Sequence, residues 1–180
     1  MSNDRKLIAR LRRGNKEALA EVYREHKDRL VTLGSCLLGD RAAAEDCLHD
    51  VFLKFVSDAV ALRIRGNLKG YFSSCILNRA RDQLRKDTKW DRKVDGTAMM
   101  AGPKSDPIVQ LESLEESRRV QRAFAVLPLE QREAVALHLQ DGLTFRKIAV
   151  LQSVSINTVQ SRYRYGIRKL RELLTEKEER

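Results

Sequence analysis

The chain has 180 residues, enough for one or two small domains. Its 35 lysines and arginines against 25 aspartates and glutamates leave a formal net charge of +10, which favours an anionic partner, nucleic acid first. No apolar run approaches the ~20 residues that span a bilayer, and the opening MSNDRKLIARLRRG lacks the apolar core of a signal peptide, so a cytoplasmic protein without membrane insertion is expected.

Helical periodicity dominates, strand alternation is nearly absent, and only three prolines (Pro103, Pro107, Pro128) interrupt the chain, so the fold class is all-α. A short basic helix over residues 4–13 ends at Gly14-Asn15. A second runs from Lys16 to about Leu38, with Leu19, Val22, Tyr23, Leu30, Leu33 and Leu37 along one side and Gly39 just past its end. Asp40 caps a third, Arg41 to about Ser57. In that helix Cys47, Leu48, Val51, Phe52 and Phe55 can face a core, which leaves Glu45, Asp46, His49, Asp50 and Lys54 outside. An acidic outer face on so basic a chain is a poor place for DNA and a reasonable one for a basic protein partner; a plain solvated face is the competing reading.

Residues 58–69 are less regular, with Arg63, Arg65, Gly66 and Asn67 in a loop. A fourth helix is expected from Tyr71 to about Lys86, with Ile76, Ala80 and Leu84 as its apolar stripe and Asn78, Arg79, Arg81, Asp82, Arg85 and Lys86 on its polar sides. Rings beside a positive loop suit a single strand, because bases stack on aromatics while phosphates follow charge. Tyr71 and Phe72 fit a core role equally well. Residues 87–110 lose periodicity and gather Gly, Pro, Asp and Ser, which reads as a flexible linker, placed at 89–110, between two small helical domains, 1–88 and 111–180. In the second domain one helix runs through VQRAFAVL and another from Leu129 to about Gln140 behind Pro128, before Asp141-Gly142 turn the chain.

The stretch TFRKIAVLQSVSINTVQSRYRYGIRKL, Thr144 to Leu170, organises the rest. A short apolar helix capped by Thr144 breaks at Gln152-Ser153-Val154, and a strongly basic helix restarts at Ile156 behind the N-cap Ser155: a helix-turn-helix. Small Ala149 permits a close crossing, and Val154 and Val159 plug the gap. Ser155, Asn157, Thr158, Gln160, Ser161, Arg162, Arg164 and Arg168 carry side chains suited to base edges and phosphates of duplex DNA. At the turn, Ser153 stands where a left-handed backbone favours glycine.

Cys36, Cys47 and Cys75 are odd in number and form no CxxC or Cys/His cluster, so reduced structural thiols are expected. With no Gly-rich phosphate loop, metal constellation or nucleophile–base spacing, the sequence points to no enzyme, metal or cofactor.

Two segments then fall in order. AEDCLHDVFLKF followed by NLKGYFSSCILNRARDQLRK resembles the second conserved region of bacterial sigma factors of the extracytoplasmic-function group, and LPLEQREAVALHLQDGLTFRKIAVLQSVSINTVQSRYRYGIRKLREL resembles their fourth. The resemblance implies a transcription initiation factor that binds core RNA polymerase, directs it to promoter DNA and is held by an anti-sigma factor. Carried over, Asp46, His49, Asp50, Leu53 and Lys54 would dock on the polymerase. Arg63, Arg65, Asn67, Lys69, Tyr71, Asn78, Arg81 and Arg85 would read the −10 element as a single strand. The helix from Ser155 would read the −35 duplex. Three positions depart from the family pattern: Ser153 for the turn glycine, Lys147 for an acidic residue that would complete a capping box with Thr144, and His49 for glutamine. A dimeric helix-turn-helix regulator acting without polymerase is the alternative function, although no dimerisation heptad is evident.

Overall fold

The computed structural model describes residues 3–57, 64, 67–91 and 111–175. Among them lie eight α-helices and no strand: α1 (Asn3–Arg12), α2 (Lys16–Leu38), α3 (Arg41–Ser57), α4 (Leu68–Asp91), α5 (Leu111–Val126), α6 (Leu129–Leu139), α7 (Phe145–Gln152) and α8 (Ile156–Thr175). The all-α reading therefore stands. No described helix is long and apolar enough to cross a membrane.

Local chemistry sets most helix ends. Asn15 accepts a hydrogen bond from the Ala18 N–H at 2.8 Å to start α2, and Asp40 accepts from Ala43 N–H at 2.6 Å to start α3. Gly39 closes α2 with φ 76°, a left-handed conformation that spares the steric cost a Cβ would bring, and its N–H reaches the Ser35 carbonyl.

The fourth helix departs from its expected span, beginning at Leu68 instead of Tyr71 and running on to Asp91. Its start is built from two places. Asn67 Oδ1 accepts from Gly70 N–H at 2.9 Å, and Asp4 of α1 accepts from Leu68 N–H at 3.0 Å. Helix α1 is more than a basic lead-in, since Leu7 and Ile8 are buried in the core and Arg12 donates to the Ile64 carbonyl at 3.2 Å.

In the first half α2, α3 and α4 enclose an aromatic core. Phe52 stacks on Phe72 at 4.7 Å between centroids, with Tyr23 edge-on to Phe52 and Phe55 tilted against Phe72. Phe72 is thus a core residue, whereas Tyr71 is half-buried at the margin. In the second half α6 lies against α8, and Gly166 permits the approach: a Cβ there would meet Val135 Cγ2 at 2.7 Å. The halves touch through α2 against α5 and α6.

Candidate nucleic-acid and partner interfaces

The helix-turn-helix forms as the spacing predicts. Thr144 accepts from Lys147 N–H, though at a long 3.4 Å, and Ser155 accepts from Thr158 N–H at 3.1 Å. Between them Ser153 adopts φ 55° and ψ 44°; among the described residues it alone of the non-glycines has a positive φ. Its N–H and that of Val154 bond back to Val150 and Ala149 carbonyls, the paired closure that usually employs glycine. Val159, Ile148 and Ala149 are buried where the two helices cross, while Val154 is half-buried.

Helix α8 turns one sector to solvent. At roughly 100° per residue, Asn157, Gln160, Ser161, Arg164 and Arg168 share a face, opposite the inward Val159, Gly166 and Leu170. Ser155 is exposed at its start, Thr158 is half-buried beside the cap, and the Arg168 guanidinium lies 5.1 Å from the centre of the Tyr165 ring. Arg162 lies off that sector: half-buried, it donates to Gln152 Oε1 at 2.8 Å.

The candidate single-strand residues divide. Arg63 and Arg65 lie outside the described residues. Asn67 and Lys69 are exposed at the start of α4, but Asn67 Oδ1 is committed to capping. Asn78 and Arg85 are exposed and Arg81 half-buried; they line one wall of a groove whose other wall includes Leu129 and Arg132 of the second half. Arg85 pairs with Asp82. Arg81 binds Glu133 of α6 bidentately, Nε to Oε1 and Nη2 to Oε2 both at 2.6 Å, and this hydrogen-bonded carboxylate raises the guanidinium's pKa further.

On α3 the five docking candidates are all exposed: Asp46, His49, Asp50, Leu53 and Lys54. Leu53 is an apolar side chain 69% exposed within this otherwise polar face. Arg79 of α4, to which sequence reasoning gives no role, pairs with Asp50 and, with Gln83 and Lys86, completes a groove along Asp46, His49 and Asp50. Its place on a different helix from α3 hides the pairing from any local pattern.

The thiols are unsuited to reaction. Burial pushes Cys36 and Cys47 up to about 11 and raises Cys75 as well. His138 plays a structural part, its Nδ1 2.8 Å from the Leu143 carbonyl and its ring stacked on Phe145.

Fold and surfaces together define a two-part helical protein that carries a helix-turn-helix with a basic, solvent-facing sector and, apart from it, a partly apolar acidic face. Sigma-70 region 2 matches residues 22–90 and Sigma-70 region 4 matches residues 117–170, between them more than half of the chain. The extracytoplasmic-function sigma factor SigK of Mycolicibacterium vanbaalenii is 29% identical over 171 residues, covering 93% of this chain and 87% of its own. The structure of CnrH in complex with the cytosolic domain of CnrY superposes with TM-score 0.71 at 19% identity, covering 98% of this chain and 99% of that one. The sigma factor RpoE of Bartonella quintana, solved with the anti-sigma factor NepR, gives TM-score 0.65 at 24% identity, over 88% of this chain and 95% of that one. The chain belongs to the extracytoplasmic-function group of the sigma-70 family, the transcription initiation factors that direct RNA polymerase.

Proposed function

We propose that residues 1–88 dock on core RNA polymerase through Asp46, His49, Asp50, Leu53 and Lys54 and take the −10 element as a single strand, while residues 111–180 read the −35 element as duplex through α8, with 89–110 as the linker. The observation that carries this reading is the solvent sector of α8, where Asn157, Gln160, Ser161, Arg164 and Arg168 stand together beyond a capped turn. Amides and hydroxyls there suit base edges; the arginines suit guanine edges or phosphates. Loading would release counterions, so binding weakens steeply with salt.

Strand separation requires no covalent step. Unstacking costs a few kcal/mol per flipped base, roughly offset by contacts to the extruded base and to its phosphates. For that role α4 offers Asn78, Arg81 and Arg85 in a row about one turn apart, with Tyr71 and Lys69 toward its start. Arg63 and Arg65 complete the set in this reading. The protein would act in the cytoplasm, and an anti-sigma factor would hold it inactive; RpoE of Bartonella quintana, a relative in fold, forms such a complex with NepR.

Gel filtration with bacterial core RNA polymerase, followed by run-off transcription on fragments of the source genome, tests the proposal. Co-elution with promoter-specific transcripts is the expected result, and mapping their starts gives the −10 and −35 sequences. Tight, two-fold symmetric binding to duplex DNA without any affinity for core would replace it with the dimeric regulator.

A further inference from the structure

Helix α8 carries five cations, Arg162, Arg164, Arg168, Lys169 and Arg171, and the structure holds them differently. Arg162 is spent on Gln152, Arg164 reaches Ser161 Oγ at 3.5 Å, and Lys169 pairs with Glu172 at 3.4 Å. Arg168 and Arg171 make no hydrogen bond or ion pair among the described residues. Of these two, Arg168 has a ring beside it: its guanidinium carbon lies 5.1 Å from the centre of Tyr165, three residues back on the same side of the helix. The core does not require that ring. Tyr163 packs edge-on against His138 and Phe145, whereas Tyr165 is 54% exposed. Unlike a carboxylate, a ring does not neutralise the cation it holds, so Arg168 is oriented and its charge stays available to an anion.

Position along the helix says which anion. Arg168 shares its sector with Asn157, Gln160 and Ser161 but stands three turns, about 16 Å, beyond Asn157, and Tyr165 lies about 60° round the helix from it, at the sector's edge. A helix lying in the major groove offers its N-terminal residues to base edges. The groove winds away from a straight rod, so a side chain three turns further on meets the sugar-phosphate wall. An unheld arginine gives up much rotamer freedom on taking a phosphate; a ring that already holds the guanidinium removes part of that loss.

We propose that Tyr165 is a positioning residue for Arg168, and that Arg168 so held grips a duplex phosphate at the rim of the groove. The grip sets the register in which Asn157, Gln160 and Ser161 meet the bases. This assignment rests on the reading of α8 as the duplex-contacting helix and narrows it, since Arg168 then supplies affinity and register while base choice lies nearer the start of the helix.

Fluorescence anisotropy of the full-length chain with two short labelled DNA duplexes of unrelated sequence, over a series of salt concentrations, tests the pair. Tyr165→Leu removes the ring, Tyr165→Phe keeps it, and Arg168→Gln removes the charge; both positions are exposed, so melting should stay at the wild-type value. Arg168→Gln is expected to weaken both duplexes several-fold alike and to lower the slope of log affinity against log salt by about one. Tyr165→Leu should give a smaller loss on both, Tyr165→Phe should bind as the wild type does, and Tyr165→Leu/Arg168→Gln should be no weaker than Arg168→Gln alone. Additive losses in the double variant, or wild-type binding by Tyr165→Leu, overturn the positioning. In the latter case a loss of affinity for core polymerase would make the ring a protein contact. A loss confined to one duplex, or a wild type that binds neither, overturns the phosphate contact. Core polymerase is absent from the anisotropy, so failure of the chain to bind core strikes the promoter reading and leaves the pair to stand on its own result.

Discussion

Ser153 carries backbone strain that no other described non-glycine residue shares, because its left-handed conformation sets its Cβ against the neighbouring carbonyl at a cost of about 1 kcal/mol or more. The closing bonds to Val150 and Ala149 hold it there. Ser153→Gly should stabilise the chain by about 1 kcal/mol. Ser153→Val should cost at least that much, since a β-branched residue is still less at ease with positive φ. Thermal melting of the two variants would move in opposite directions; two equal shifts would mean that the turn relaxes away from this geometry. Asp50 offers a test on the other face. Its carboxylate is shared with Arg79, so Asp50→Asn removes one negative charge and also releases a positive one onto the groove. Against a basic docking partner both changes disfavour association, and a loss of roughly tenfold in affinity for core polymerase with unchanged melting is expected. Unchanged affinity would place the docking surface elsewhere.

At the scale of elements, caps separate what the sequence discloses from what it conceals. Asn15, Asp40, Thr144 and Ser155 each act on an N–H three residues ahead, so a local pattern suffices to find the helix each one starts. The start of α4 escapes that logic because Asp4 satisfies Leu68 N–H from 64 residues away. A start at Tyr71 places the helix too late, although Asn67 is itself a good capping residue, its Oδ1 accepting from Gly70 N–H. The lysines and arginines around Leu7 and Ile8 hide their burial similarly. The same distinction holds for the site. The solvent-facing sector of α8, the candidate duplex-contacting face, follows from one helix's periodicity, whereas the burial of Glu133 in LEQREAV depends on an arginine in the other half. The contact with Asp4 carries a prediction. Asp4→Ala leaves the first N–H of α4 unpaired and should cost about 1 kcal/mol. Amide hydrogen exchange should accelerate at Leu68 and its neighbours, next to the candidate single-strand residues, while the amides of α8 keep their protection. Uniform acceleration along the chain would instead indicate global destabilisation.

Over the whole molecule, cations outnumber anions, and the buried carboxylates Glu133 and Asp141 lie where the halves meet. His26 sits in this setting on α2, buried, its ring centroid 5.4 Å from that of Phe72 and its Nε2 without a hydrogen-bond partner among the described residues. Burial lowers its pKa below the usual 6.5, the charge of Arg29 lowers it further with a smaller push from Lys69, and Glu25 and Asp4 restore only part. The sign follows from linkage. As pH falls below about 6.5 the unfolded chain takes up the proton first, while the folded chain resists it until its own lower pKa is reached. Stability contributed by this residue is therefore present above the unfolded value and lost as pH falls toward the folded one. The slope can reach at most one proton's worth, about 1.4 kcal/mol per pH unit. Urea unfolding at about pH 7.5 and about pH 5.5 checks the sign, with His26→Gln as the reference in which other titrating groups remain. The wild type should lose more stability than the variant between the two conditions; equal losses would show that the His26 proton is taken up alike by both states.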